Sequence, residues 1–381
     1  MRFTQIRLKN WRNFVDVDVE VANRVFLVGA NATGKSNFLD AIRFLRDIVI
    51  TGGGFQVAIQ QRGGMKKIRS LFARDASDVE LDVTVNIDDS KWRYRLVFNK
   101  NSKKSSPIIL EEQVWHGGEL LLNRPDENDK QDDERLSQTY LEQTFANQQF
   151  RPIADFFKTI HYSHVVPQLI RESDRYLGKR NDPFGSDFLA QLAETSERTR
   201  TARLKRIESA LKIAVANFSQ LEFHQDKSGI PHLRAKYRHW RENGAWQNEE
   251  DFSDGTLRLI GLLWALQDDE TPLILEEPEL SLHYGIVQYI PQMILAIFRE
   301  RKRAIRQVFI STHSYELLSD EGIGADEVLL LQSSGERTMI IVGKDDNSII
   351  HELEAGLSIA EIALPRTTVK GLNKLLDKNH A

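Results

Sequence analysis

Gly29-Ala30-Asn31-Ala32-Thr33-Gly34-Lys35-Ser36 follows the apolar run Arg24–Val28 and precedes Phe38, Leu39, Ile42, Phe44 and Leu45 at helical spacing. A segment of the form G-x-x-x-x-G-K-S between a strand and a helix constrains this chain more than any other. Its glycines let successive backbone N–H groups turn inward and form an anion-binding concavity. The helix that follows adds its positive N-terminal end. Lys35 is expected to reach the β- and γ-phosphates of a nucleoside triphosphate, and the Ser36 hydroxyl to ligate Mg²⁺. The same loop places Gly29, Asn31, Ala32, Thr33, Gly34 and Asn37 among the candidate nucleotide contacts.

The flanking sequence reads as α/β. Phe3, Ile6 and Leu8 alternate with polar residues, and a second alternation runs from Val15 to Val21. Segments 78–87 and 91–98 alternate again around Asp88-Asp89-Ser90 and predict a hairpin. Residues 186–218 predict two helices, with Phe188, Leu189, Leu192, Leu204, Ile207, Leu211 and Ile213 as their apolar stripe and an interruption at Thr195–Thr201. Further on, helix 257–266, strand 272–275, helix 286–298 and strand 308–311 alternate, which indicates a mostly parallel sheet covered by helices. Asn123–Gln138 is dominated by Asp, Glu, Asn and Lys and is expected to be an exposed or mobile insertion.

Composition excludes several classes. The chain has 381 residues and no cysteine, so a disulfide framework, an iron–sulfur cluster, a Cys-based zinc site and a thiol nucleophile are ruled out. Fifty-one Lys and Arg against 55 Asp and Glu leave a net charge of −4, which rules out nucleic-acid binding by bulk charge. No run of 18 apolar residues predicts a membrane span, and Met1–Asn10 lacks the apolar core of a signal peptide. A cytoplasmic location is the expectation.

Three further constellations suit a triphosphate site. Pro272-Leu273-Ile274-Leu275-Glu276-Glu277-Pro278-Glu279 is an apolar strand ending in adjacent carboxylates. Neighbouring strand residues face opposite ways, so Glu276 is expected to serve the metal and Glu277 to activate water. Asp251-Phe252-Ser253-Asp254-Gly255-Thr256 precedes an apolar helix, with Ser253 where an N-cap belongs and Gly255 keeping the helix end open to an anion. Ser311-Thr312-His313-Ser314 ends another apolar strand, at the sheet edge where α/β folds bind ligands, and His313 is the candidate γ-phosphate sensor.

Glu277 follows Ser253 by 24 residues and His313 follows Glu277 by 36. This order resembles the SMC/RecF/OLD-like branch of ABC-type ATPases, in particular the small ATP-binding proteins grouped with abortive-infection AAA ATPases. Four stretches carry the resemblance: Asn10-Trp11-Arg12-Asn13-Phe14, Gly34–Ala41, Glu276–His283 and Ser311–Ser314. It implies an ABC-type head of P-loop NTPase fold, with a mostly parallel sheet, an antiparallel β-subdomain and a helical insertion. The lobes expected are 1–160 with the phosphate loop, 161–220 as the helical insertion, and 221–381 with the signature, acidic pair and switch histidine. It further implies a homodimer, or higher oligomer, closing around ATP and Mg²⁺. Ser253 and Gly255 of one copy would then meet the γ-phosphate held by the other, with Glu277 as catalytic carboxylate. Arg12 matches a family arginine near the nucleotide, and Gln168 is the candidate for the glutamine loop. Glu276 stands where many ABC proteins carry aspartate, and Asp254 where glycine is usual. Asp345, Asp346, Glu352 and Glu354 follow the switch histidine and are expected to be a solvated acidic loop and helix rather than a nuclease site.

The function this implies is an ATPase controlling an effector chain, a nuclease or toxin, in bacterial anti-phage defence of the abortive-infection type. The alternative is a RecF-like DNA-repair or chromosome-maintenance ATPase that clamps DNA. A transporter subunit is disfavoured by the Glu-Glu-Pro-Glu…Leu-His element. Candidate nucleic-acid surfaces are Arg198–Arg206, Arg234–Arg241 with Tyr237 and Trp240, and Arg299–Arg306.

Overall fold

The computed structural model describes residues 1–73, 78–100, 106–172, 182–238, 246–268, 272–300, 306–335 and 337–367. Trp240, Arg241, Arg301, Lys302 and Arg303, which the sequence places in basic clusters, lie outside the described residues, as does the side chain of Arg299. Two compact units form: Met1–His161, Glu270–Ile274 and Arg303–Ala381 make the first, Tyr162–Asp269 and Leu275–Lys302 the second.

The strands, in chain order, begin with β1 (Arg2–Trp11), β2 (Phe14–Glu20), β3 (Arg24–Gly29), β4 (Val79–Ile87) and β5 (Ser90–Lys100). They continue with β6 (Pro107–His116), β7 (Glu119–Arg124), β8 (His161–Ser163), β9 (Phe218–Gln225) and β10 (Pro231–Tyr237). The last are β11 (Trp246–Asn248), β12 (Leu273–Glu276), β13 (Val308–Thr312), β14 (Val328–Ser334) and β15 (Arg337–Val342).

The first unit holds an antiparallel sheet of order β2-β1-β4-β5-β6-β7. In β1, Phe3, Ile6 and Leu8 are buried while Gln5 and Arg7 face outward to Asp18 and Asp16. The odd spacing from Phe3 to Ile6 is absorbed by a register shift between Phe3 and Gln5, which lets both face the core. The second sheet has the order β15-β14-β3-β13-β12-β8, and its last two strands begin in this unit. Strand β3 runs parallel to β13 and β14 on its two sides, and every residue of it is buried. That is why its sequence is a continuous apolar run rather than an alternation.

The polar stretch 123–138 departs from expectation. Its surface is mostly exposed, yet it is anchored from inside by Arg124, which is 1% exposed. The Arg124 guanidinium bonds Glu112 at 2.8 Å and both Asp129 oxygens at 2.9 Å, and it stacks 3.7 Å over the Tyr140 ring. Burial pushes the Glu112 carboxyl up. Burial would push Asp129 up as well, but hydrogen bonds from Arg124 and the Asp126 amide pull it down to about 2. A polar composition therefore conceals a buried ion-pair cluster.

In the second unit, strands β11-β10-β9 form an antiparallel sheet. Helices Phe188–Glu194, Glu197–Ala214 and Asp254–Leu266 share a core of Leu192, Leu204, Ile207, Leu211, Leu257, Ile260 and Trp264 with β10's Leu233. The break between the first two helices spans only Thr195 and Ser196, shorter than the sequence suggests. Arg200 makes it sharp by donating to the carbonyls of Leu192, Ala193 and Thr195. The helix expected at 286–298 is two pieces, Tyr284–Val287 and Ile290–Glu300. Among the described residues no helix is long and apolar enough to cross a membrane.

Candidate functional site: a phosphate loop and two carboxylate-bearing turns

In the first unit, Ala32 and Gly34 take positive φ values of 65° and 100°, so the loop after β3 turns twice through the left-handed region. Gly34 then starts helix Lys35–Val49, whose first turn carries no acidic side chain. The positive end of this helix therefore faces no acidic side chain of its own first turn, which favours an anion there. A Cβ on Gly29 would stand 2.5 Å from Thr33 Oγ1 and 2.9 Å from the Leu331 carbonyl, so only glycine fits there. Lys35 Nζ is folded back onto the Gly29 and Ala30 carbonyls, at 2.8 and 3.3 Å. Lys35 is buried, while Asn31, Ala32 and Ser36 are exposed. These features fit an anion such as a triphosphate.

The Trp11-Arg12-Asn13 triplet, at the turn between β1 and β2, grips this loop and its helix residue by residue. Trp11 Nε1 donates to the Asn37 carbonyl at 2.9 Å, and Arg12 pairs with Asp40 at 2.7 Å. Asn13 Nδ2 donates to the Thr33 carbonyl at 2.9 Å, and Asn37 Nδ2 donates back to Asn13 Oδ1 at 2.7 Å. The resemblance singled out Arg12 alone; the structure adds Trp11 and Asn13, and it commits the Asn37 amide to Asn13. Thr312 is in register with Val28, which places His313 one step past the strand end and alongside Gly29. His313 is exposed, and Ser314 beyond it N-caps Tyr315–Leu318.

In the second unit, Glu276 ends β12 and Glu277 leaves the strand at φ 43°. The opposite-facing argument from strand alternation therefore does not apply, because a left-handed turn rather than the pleat separates the two carboxylates. Glu276 accepts a hydrogen bond from the Tyr162 hydroxyl, and its carbonyl lies 3.0 Å from His164 Nδ1. Neither Tyr162 nor His164 stands out in the sequence. Their signal is only that β8 is a short strand preceding Gln168.

Ser253 is the N-cap of helix Asp254–Leu266, accepting from the Thr256 amide at 3.2 Å. The need for glycine at 255 differs from the expectation: a Cβ there would meet the Ser281 carbonyl oxygen at 2.7 Å. Asp254 is held by Arg171 at 2.7 Å and by Gln168 Nε2 at 3.2 Å, so the candidate glutamine is engaged with the signature helix. Arg258, one turn on, is lowered by burial, while the charges of Asp254, Glu277 and Glu279 pull it back up. It remains a cation in the field of the carboxylate turn.

Some of the other candidates are used internally, while Arg198, Lys205, Arg206 and Arg238 are exposed. Arg200 stacks 4.0 Å over Phe223, Arg203 pairs with Asp268 at 3.3 Å, Arg234 pairs with Glu222, and Arg306 is buried. Asp346 caps Asn347–Glu354 and Glu352 pairs with Arg366 at 2.7 Å. Among the described residues no group of three or more His, Asp or Glu is arranged to hold a metal on its own.

A stretch of 83 residues, 22% of this chain, is 39% identical to Endonuclease GajA of Bacillus cereus (strain VD045) and spans 14% of that protein's length. Solved structures with the same fold include an SMC head bound to the C-winged helix domain of ScpA. It has a TM-score of 0.57 and 14% identity, covering 90% of this chain and 98% of that one. An SMC head of Pyrococcus yayanosii with a coiled coil and joint has a TM-score of 0.52 and 12% identity, covering 93% and 99%. At such identities the likeness is one of fold: the chain shares the fold of these SMC heads, consistent with a P-loop NTPase fold. The family model described as "AAA domain, putative AbiEii toxin, Type IV TA system" matches residues 24–319, from the strand that feeds the phosphate loop to past His313, and the chain belongs to that family.

Proposed function

We propose that the chain is an Mg²⁺-dependent ATPase that closes as a homodimer around ATP and controls a nuclease or toxin in anti-phage defence. The observation that carries this is the phosphate loop: two left-handed turns, a helix start without an acid, and a buried Lys35 parked on Gly29 and Ala30. Backbone N–H groups and Lys35 would bind the triphosphate. Ser36 and Glu276 would hold Mg²⁺, which spreads the charge developing on the transferred phosphoryl group. Glu277 would take the proton of the attacking water, and His313 would sense the γ-phosphate. Ser253 and Gly255 would complete the partner copy's nucleotide site. The defence role is supported by the family description and by the stretch shared with GajA.

The test is phosphate release from ATP by the purified chain. We expect Mg²⁺-dependent turnover that EDTA abolishes and that Lys35→Ala reduces by about 10²-fold or more. Turnover in Lys35→Ala equal to that of the parent would overturn the reading.

A further inference from the structure

Asn13 stands out because its side-chain amide is used three ways. Nδ2 donates to the Thr33 carbonyl at 2.9 Å and to Thr338 Oγ1 at 2.6 Å, while Oδ1 accepts from Asn37 Nδ2 at 2.7 Å. The amide also fills the space beside Gly34: a Cβ on Gly34 would stand 2.1 Å from Asn13 Nδ2. Thr338 is buried on β15, the edge strand of the second sheet, and its own N–H donates to the Asn13 carbonyl at 3.3 Å. One side chain thus joins the phosphate loop, the first turn of its helix, and a hairpin some three hundred residues further along the chain.

We propose that Asn13 is the positioning residue of the phosphate loop, and that Thr338 on the β14–β15 hairpin sets how firmly it holds. The loop passes through two left-handed residues and has no side-chain cap at the helix start; Lys35 and Thr33 bond the Gly29 and Ala30 carbonyls from within, which leaves the Thr33 carbonyl to be held from outside. Asn13 supplies that constraint by tying up the Thr33 carbonyl, which keeps the loop's dipoles arranged for an anion. Thr338 fixes the rotamer of Asn13 through the second Nδ2 hydrogen. Any displacement of β15 would loosen Asn13 and weaken nucleotide binding, so affinity is tuned from the C-terminal hairpin. The inference rests on the ATP reading for its affinity arm only.

Two measurements test it on the full chain: the Kd of a fluorescent ATP analogue with Mg²⁺, and amide hydrogen exchange of residues 30–37 without nucleotide. Asn13→Asp keeps the size but removes the donors and adds a charge; its Kd should rise about tenfold or more. Thr338→Val should raise Kd about threefold, and Thr338→Ser should restore the parent value. Asn13→Ala with Thr338→Val should bind no more weakly than Asn13→Ala alone, because the threonine acts through the asparagine. Loop exchange should be faster in Asn13→Ala and Thr338→Val, while thermal midpoints stay close to the parent's.

Additive losses in the double variant, or parent-like Kd and exchange in Thr338→Val, would overturn the proposal. Binding by the parent but not by Lys35→Ala, with Asn13→Asp equal to the parent, defeats this inference and leaves the ATP reading standing. If the parent fails to bind, the ATP reading falls, and the exchange arm alone decides whether Asn13 and Thr338 brace the loop.

Discussion

Gly255 and Ser281 approach so closely that a Cβ on the glycine would lie 2.7 Å from the serine's carbonyl oxygen. The start of the signature helix and the turn after Glu277-Pro278-Glu279 are thereby packed backbone to backbone, with Ser281 itself at φ 59°. Gly255→Ala must push that turn away, at about 1–3 kcal/mol. The thermal midpoint should fall by roughly 2–10 °C. ATP turnover should fall further than nucleotide affinity does, since the phosphate loop is untouched. Calorimetry and a steady-state assay check this, and an unchanged midpoint with full turnover would show that the turn yields freely.

Arg124, Glu112 and Asp129 are fully buried and mutually satisfied. Arg124→Met leaves the buried Glu112 carboxyl without its counter-charge and Asp129 with Arg135 alone, and should cost about 3–5 kcal/mol in urea unfolding. A loss under about 1 kcal/mol would mean the cluster neutralises itself by protonation.

The same cluster has a pH signature. Asp129 titrates near 2 rather than at its ordinary 3.8, so its contribution is present above pH 3.8 and lost as pH falls toward 2. Glu112 is shifted the other way, and protonating it relieves the cost of burying its charge. Asp129→Asn should therefore show a flatter stability profile than the parent below about pH 4, by on the order of 1–2 kcal/mol. Parallel profiles for the two proteins would remove Asp129 from the account.

Tyr162 donates its hydroxyl to Glu276 and so orients the carboxylate assigned to Mg²⁺. Tyr162→Phe should raise the Mg²⁺ concentration needed for half-maximal turnover by about tenfold, with little change in the thermal midpoint. An unaltered Mg²⁺ dependence would place the metal away from Glu276.

Much of this was legible in residue patterns because period and motif act locally. The phosphate loop, the β4–β5 hairpin and the Ser253 cap each depend on a few adjacent residues, and each sits where the pattern places it. Other features depend on distant partners and left no local signal. The burial of Arg124 needs Glu112 and Tyr140, and the use of Asn13 needs Thr338, so composition reads the first as part of a solvated insertion, and the motif around Asn13 gives no sign of its distant partner. The left-handed turn at Glu277 is hidden for another reason: two glutamates at the end of an apolar run read as successive strand residues, and nothing in that pattern marks the positive φ at Glu277.

The central claim is ATP hydrolysis coupled to dimer closure, and Glu277→Gln tests it most directly. Light scattering with Mg²⁺ and ATP should show the variant as a stable dimer, monomeric again without nucleotide. Its phosphate release should be about 10²–10⁴-fold below the parent's. A variant that hydrolyses ATP within about twofold of the parent, or whose mass ignores nucleotide, would contradict the account.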